Sequence, residues 1–134
     1  MIKNAKIGKE IVVMAANKIG VLADISSAIA DHGKSITAVT AMAISDVAML
    51  QMLTDDNLRV KDILKAKNYD VSEREVVVVE LENKPGALKL VTKKLADQNI
   101  NLSYLYGSTC TGGCPAIIIF SSGDNEKAVV TLKK

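Results

Sequence analysis

Two turns of the same chemistry stand 66 residues apart in this 134-residue chain: Asn17-Lys18-Ile19-Gly20-Val21-Leu22 and Asn83-Lys84-Pro85-Gly86-Ala87-Leu88. Glycine has no Cβ, so the backbone can turn sharply at Gly20 and Gly86 and a small molecule can come close to it. A helix that begins just after such a glycine presents unpaired N–H groups and the positive end of its dipole, a good seat for a carboxylate. Asn17 and Asn83 each add a donor and an acceptor suited to the backbone of an amino acid. Pro85 fixes φ in the second turn, whereas Ile19 does not in the first. The first copy is therefore the weaker or the purely structural site. Taken alone, either turn is better read as a plain strand-to-helix connection with good capping chemistry; it is the repetition that points further.

Other reactive side chains are few. Cys110 and Cys114 share one Gly-Gly turn. A metal site would need ligands beyond these two thiols, and the single histidine, His32, falls in the other copy. A reversible disulfide is geometrically possible; reduced thiols in a plain turn are the favoured reading for a reducing compartment. His32 stands just before Gly33, where an imidazole caps helix carbonyls and meets the negative dipole end, a role preferred over catalysis. No Ser-His or Cys-His pairing and no paired acids form a recognisable site, so neither a catalytic residue nor a cofactor is expected. Asp24 and Asp31 read as helix surface. Tyr104 and Tyr106 alternate along one strand and share a face, fit for a pocket, an interface or the core. Met14, Met42, Met49 and Met52 read as core filling.

A duplicated framework must hold the two turns. Val12-Val13 recurs as Val78-Val79 and Ala30-Asp31 as Ala96-Asp97, in the same register. In the first copy, residues 10–16 read as a strand and 21–32 as a helix with Val21, Leu22, Ile25, Ala28 and Ile29 at helical spacing. Two strands, 35–43 and 46–53, follow around a turn at Ser45-Asp46. A helix over 55–67, capped by Asp55 or Asp56, turns Leu58, Ile63 and Leu64 inward, and a strand over 69–73 closes the copy. The second copy runs 75–81, 86–99, 101–107, 116–121 and a helix from 124 to about 132. The order is βαββαβ, which gives an α+β fold of two ferredoxin-like units in tandem, antiparallel sheets with helices on one face. The domains span 1–73 and 74–134. The second lacks its last strand, and the open edge calls for a partner protomer or a strand lent by the first copy. Residues 69–82 hold no glycine or proline, so the two units should be fixed rather than tethered. Stretches 11–15, 47–50, 76–79 and 117–120 are apolar on both faces, so the face without helices should meet a second sheet, in the chain or across an oligomer.

Composition narrows the function classes. Apolar residues make up 49%, charged residues 24%, and the net charge is +2, which argues against a nucleic-acid footprint or a polybasic membrane surface. No apolar run approaches the ~20 residues of a membrane helix, and no secretory core follows Met1, so the cytoplasm is the default. Units of roughly 65 residues are near the lower limit for a self-sufficient core, and they should lean on each other or on a partner. RNA-recognition modules share this strand order but stack bases on aromatics of their central strands. The strands 11–14 and 49–52 carry none, and aromatics are only 3% overall.

A strand, then Asn/Asp-Lys/Arg-Pro-Gly-x-Leu, then a helix, inside a duplicated βαββαβ plan, resembles the ACT domain. Residues 83–88 match the motif throughout, and 17–22 match it except for Ile19. The resemblance covers nearly the whole chain and is nearest to short stand-alone tandem ACT proteins. It implies a non-catalytic sensor that binds an amino acid, such as a branched-chain one, at ACT–ACT interfaces near the strand-to-helix loops. By that resemblance, the ligand-binding residues are Asn17, Ile19, Gly20, Val21, Leu22, Asn83, Pro85, Gly86, Ala87, Leu88 and Tyr104, with residues 37–40 and 103–106 completing the sites. It also implies a homodimer or higher homo-oligomer and an enzyme of amino-acid biosynthesis as a partner. The alternative is a structural subunit of such an enzyme with no ligand of its own.

Overall fold

The computed structural model describes residues 1–110 and 112–134. The chain forms two compact units, Lys9–Arg74 and a second made of Met1–Gly8 with Glu75–Lys134. Two long strands run through both: β1, Ile2–Ala16, and β4, Asp70–Leu81. The separate strands expected at 69–73 and 75–81 are one strand, because no residue there breaks the extended backbone.

In the first unit, residues 9–16 of β1 lead to α1 (Val21–Asp31), β2 (Ile36–Ile44), β3 (Val47–Thr54), α2 (Asn57–Ala66) and the start of β4. The strand order is β2-β3-β1-β4. Val13 stands opposite Leu50 and Ile11 opposite Met52, and these four join Ile25, Ile29, Val60, Ile63 and Leu64 in one core. Helix α1 ends at Gly33 (φ +71), and His32 Nδ1 lies 2.8 Å from the Ala28 carbonyl, the capping role its position predicts. Asp56 caps α2 by accepting from the Arg59 N–H at 3.1 Å.

The second unit repeats this plan with the end of β4, α3 (Ala87–Asp97), β5 (Leu102–Ser108), β6 (Ala116–Ser122) and α4 (Asn125–Lys133). Its remaining strand is the N-terminal half of β1, which lies beside β4 in the order β1-β4-β6-β5. The Glu82 N–H donates to the Met1 carbonyl at 2.8 Å. Ala5 is fully buried in a core with Val77, Val79, Val91, Leu95 and Phe120. The place of the missing last strand is thus taken by residues 1–8 of the same chain.

The duplication reaches features that sequence comparison passed over. Both hairpins carry a register shift at equivalent positions, between Ile36 and Ala38 and between Leu102 and Tyr104. Besides the aspartate caps Asp56 and Asp124, the turn into the second helix of each unit is held by the same side-chain bond. Thr54 Oγ donates to Asn57 Oδ1 at 2.6 Å, and Ser122 Oγ to Asn125 Oδ1 at 2.7 Å. Asn57 Nδ2 then donates to the Lys9 carbonyl, and Asn125 Nδ2 to that of Glu75.

Some expectations fail on packing. Leu58 is 71% exposed, because the inward stripe of α2 is Val60, Ile63 and Leu64 and a residue two before Val60 points away from it. Among the four methionines only Met52 is buried; Met14 and Met42 are exposed and Met49 is half-buried. Met52 shares the face of β3 that meets the helices, and its flexible side chain fills that core. A polar pair was also hidden: Gln51 Nε2 donates to Glu10 Oε1 at 2.9 Å, and both residues are buried.

Candidate functional site

The two motif turns match hydrogen bond for hydrogen bond. Lys18 N–H donates to Ala16 O at 2.9 Å and Val21 N–H to Lys18 O at 3.2 Å; Lys84 N–H donates to Glu82 O at 3.0 Å and Ala87 N–H to Lys84 O at 3.2 Å. Each turn ends on a left-handed glycine, Gly20 at φ 88° and ψ 2° and Gly86 at φ 90° and ψ −6°. An L side chain resists that conformation, and so both positions hold glycine. No side chain caps either helix. Val21 and Ala87 spend their N–H groups inside the turns, and those of residues 22–23 and 88–89 are left for water or a ligand.

Around the second turn the chain forms a cleft of about 460 Å³. Asn83 and Lys84 contribute from the turn, Ala87 and Leu88 from α3, residues 105–109 from β5 and beyond, and residues 116–118 from β6. Its walls are apolar, with Leu81, Leu88, Leu105, Ile117 and Ile118, and its polar groups are gathered on Glu82, Asn83, Lys84, Ser108 and Thr109. Lys84 Nζ lies 2.7 Å from Glu82 Oε2, and the Met1 amino group 3.3 Å from Glu82 Oε1. The Lys84 hydrogen bond, helped by the terminal amine, holds the Glu82 carboxyl below its ordinary 4.5. The mouth of the cleft therefore offers one cation and one anion beside an uncapped helix start. That arrangement can take the charged ends of a zwitterion and leave an aliphatic side chain to the apolar walls.

Of the residues expected at this site, Asn83, Ala87 and Leu88 line the cleft and Tyr104 does not. Tyr106 does, with Tyr104 stacked on it at a centroid distance of 6.5 Å. Gly86 shapes the turn and faces a separate groove with Met1 and Leu90. Ser108, Thr109 and Ile117 were not anticipated; what brings them to the turn is the pairing of Ser108 with Ile117 across the β5–β6 hairpin, which no local sequence signal marks.

The first turn is built into a different setting. Ile19, Gly20 and Val21 line a smaller cleft of about 280 Å³ with Lys18, Asp24 and Tyr69, while Asn17 and Leu22 do not. Asp24 accepts from Lys67 Nζ at 2.8 Å and from the Tyr69 hydroxyl at 2.5 Å. The Lys67 and then the Tyr69 hydrogen bonds hold its carboxyl below the ordinary 3.8, and the same contact raises the Tyr69 hydroxyl above 10.0. Asn17 is committed elsewhere: its Nδ2 donates to the Ser45 carbonyl at 3.1 Å.

Known proteins share this fold. The sequence profile of the ACT domain pair matches residues 7–134. The chain belongs to the ACT domain pair family. Similar folds occur in a protein of Bacteroides thetaiotaomicron, with 23% identity, TM-score 0.89 and 98% of this chain covering 90% of that one. They occur also in the ligand-free regulatory subunit of aspartate kinase from Thermus thermophilus, with 11% identity, TM-score 0.68, and 98% and 96% of the two chains covered. Aspartokinase alpha and beta subunits share the fold at 15% identity, TM-score 0.64 and the same coverage. No curated protein matches this chain. Among the described residues of the ACT pair, no helix is long and apolar enough to cross a membrane.

Proposed function

We propose that this ACT pair is a non-catalytic regulatory protein of the cytoplasm that binds a free amino acid in the cleft of its second unit. The observation that carries the reading is the meeting of an uncapped helix start, the Asn83 amide and the Lys84–Glu82 pair at the mouth of an apolar cleft. The ligand carboxylate sits at the start of α3, its ammonium group meets Glu82, and its side chain enters between Leu88, Leu105 and Ile118. The first unit is the weaker site, because Asn17 is already bonded and Asp24 places a carboxylate beside the start of α1.

Binding acts by population shift, favouring the assembly in which the cleft is best formed. The edge strand β2 exposes Val39, Met42 and Ile44, a surface suited to association with a second copy or with an enzyme of amino-acid metabolism. A thermal-shift panel of the twenty amino acids tests the reading. A ligand at ~100 times its dissociation constant adds roughly 2.7 kcal/mol of stability, so a selective shift supports binding. A flat panel moves the function to the partner-subunit role.

A further inference from the structure

The two cysteines lie in the chain between Thr109 and Ala116, which line this cleft. Cys110 and Cys114 are paired, their Cα atoms 5.8 Å apart, within the span a disulfide bridges without backbone movement. This departs from the reduced thiols expected of a plain turn. The pair is a poor candidate for a structural staple. The turn joins strands that are already in register, Ser108 opposite Ile117, and closing so short a loop removes little entropy from the unfolded chain. Both residues are exposed, as labile and regulatory disulfides are. Among the described residues, no third His, Cys, Asp or Glu joins them in a metal-holding group.

Their position gives the bond a consequence. Thr109, next to Cys110, and Ala116, two residues past Cys114, line the 460 Å³ cleft. Gly113 and Pro115 line a neighbouring cleft with Lys3, and both clefts share Glu82, Asn83 and Lys84. We propose that Cys110 and Cys114 form a reversible modification site for low-molecular-weight disulfides, and that its redox state sets the rim of the ligand cleft. A cysteine thiolate attacks the reagent disulfide and releases one thiolate. The second cysteine then displaces the other half of the reagent. Two electrons pass from the protein thiols to the reagent, which leaves as two thiols. The Cys114 N–H lies 3.2 Å from Cys110 Sγ, and a donor there favours thiolate over thiol, so Cys110 is the attacking sulfur. The coupling to ligand rests on the function proposed above; the chemistry of the pair does not.

The test treats the reduced protein with oxidised glutathione and reads intact mass, amide hydrogen exchange and L-isoleucine binding. Loss of two hydrogens without retained glutathione is the expected product. Cys114→Ser should instead keep one glutathione at Cys110 and react faster than Cys110→Ser. Exchange at residues 108–109 and 116–117 should slow on oxidation while α1 is unchanged, and any isoleucine affinity should shift by tenfold or more. Stable double glutathionylation of the wild type, or identical exchange at the rim in both states, overturns the proposal. Failure to bind isoleucine in either state counts against the amino-acid reading alone, because mass and exchange still decide the redox site.

Discussion

Asn17 and Asn83 hold the same place in two matching turns and are used differently. Asn17 Nδ2 donates to the Ser45 carbonyl, and its own N–H donates to Asp46 O at 2.8 Å, tying the first turn to the β2–β3 hairpin. Asn83 makes no side-chain hydrogen bond to a described residue and faces the cleft. One asparagine builds; the other, in the function proposed above, is left for a ligand. Asn17→Ala should therefore cost about 1 kcal/mol, the usual worth of such a bond. Asn83→Ala should stay within about 0.5 kcal/mol of the parent, as surface substitutions do. Chemical denaturation of the two variants separates them, and equal losses would contradict the assignment.

The N-terminal strand is integral to the second unit. Ala5 is fully buried against Val77 and Leu81, and a charge placed there would be unpaired. Ala5→Asp should cost more than about 3 kcal/mol, in the range of uncompensated buried charge. Hydrogen exchange should show α3 and β6 opening first, with α1 protected. Uniform protection would mean that residues 1–8 are dispensable.

Both motif glycines carry positive φ, but nothing lies within 4 Å of a Cβ built on Gly20, and only Met1 Cε at 3.8 Å meets one on Gly86. The cost of substitution is therefore backbone strain rather than collision, roughly 1–2 kcal/mol for each alanine variant. Gly107 differs, since its Cβ would stand 2.7 Å from the Ile117 carbonyl. Gly107→Ala should lower the melting temperature more than either motif variant. The reverse order would mean that the hairpin yields more readily than its packing implies.

Stability should fall at both ends of the pH scale. Asp24, Asp56 and Glu82 have lowered carboxyls in the fold. Their contribution is present above the ordinary 3.8 and 4.5 and is lost as pH falls through the folded values. The Tyr69 hydroxyl is raised above 10.0 by Asp24, so its contribution holds below that value and is lost as pH rises through the folded one. Asp24→Asn should flatten both limbs of a melting-temperature profile. A variant that parallels the parent at acid and alkaline pH would remove this network from the account.

The repeat made much of this legible. Paired valines, the Asn-Lys-x-Gly turns and the helical stripes follow from local periodicity, and they fixed the βαββαβ order and the sharp turns at Gly20 and Gly86. Residues 1–8 were assigned to the first copy, because strand exchange is decided by which core has a vacancy rather than by local sequence. The use of Asn17 depends on Ser45, a contact across 28 residues. The turn pairs Thr54–Asn57 and Ser122–Asn125 stand 68 rather than 66 residues apart, shifted by the longer cysteine turn, and so fall outside the repeat register. At the cleft, the turn and residues 105–106 were visible, whereas Ser108, Thr109 and Ile117 were not.

The most direct measurement is calorimetric titration of the chain with the amino acids, followed by the best binder against Asn83→Ala and Glu82→Gln, two residues that line the cleft. The account predicts one selective ligand, about one site per chain, and at least tenfold weaker binding in both folded variants, in line with lost hydrogen bonds to charged groups. No amino acid binding at all, or a binder indifferent to both substitutions, would contradict it.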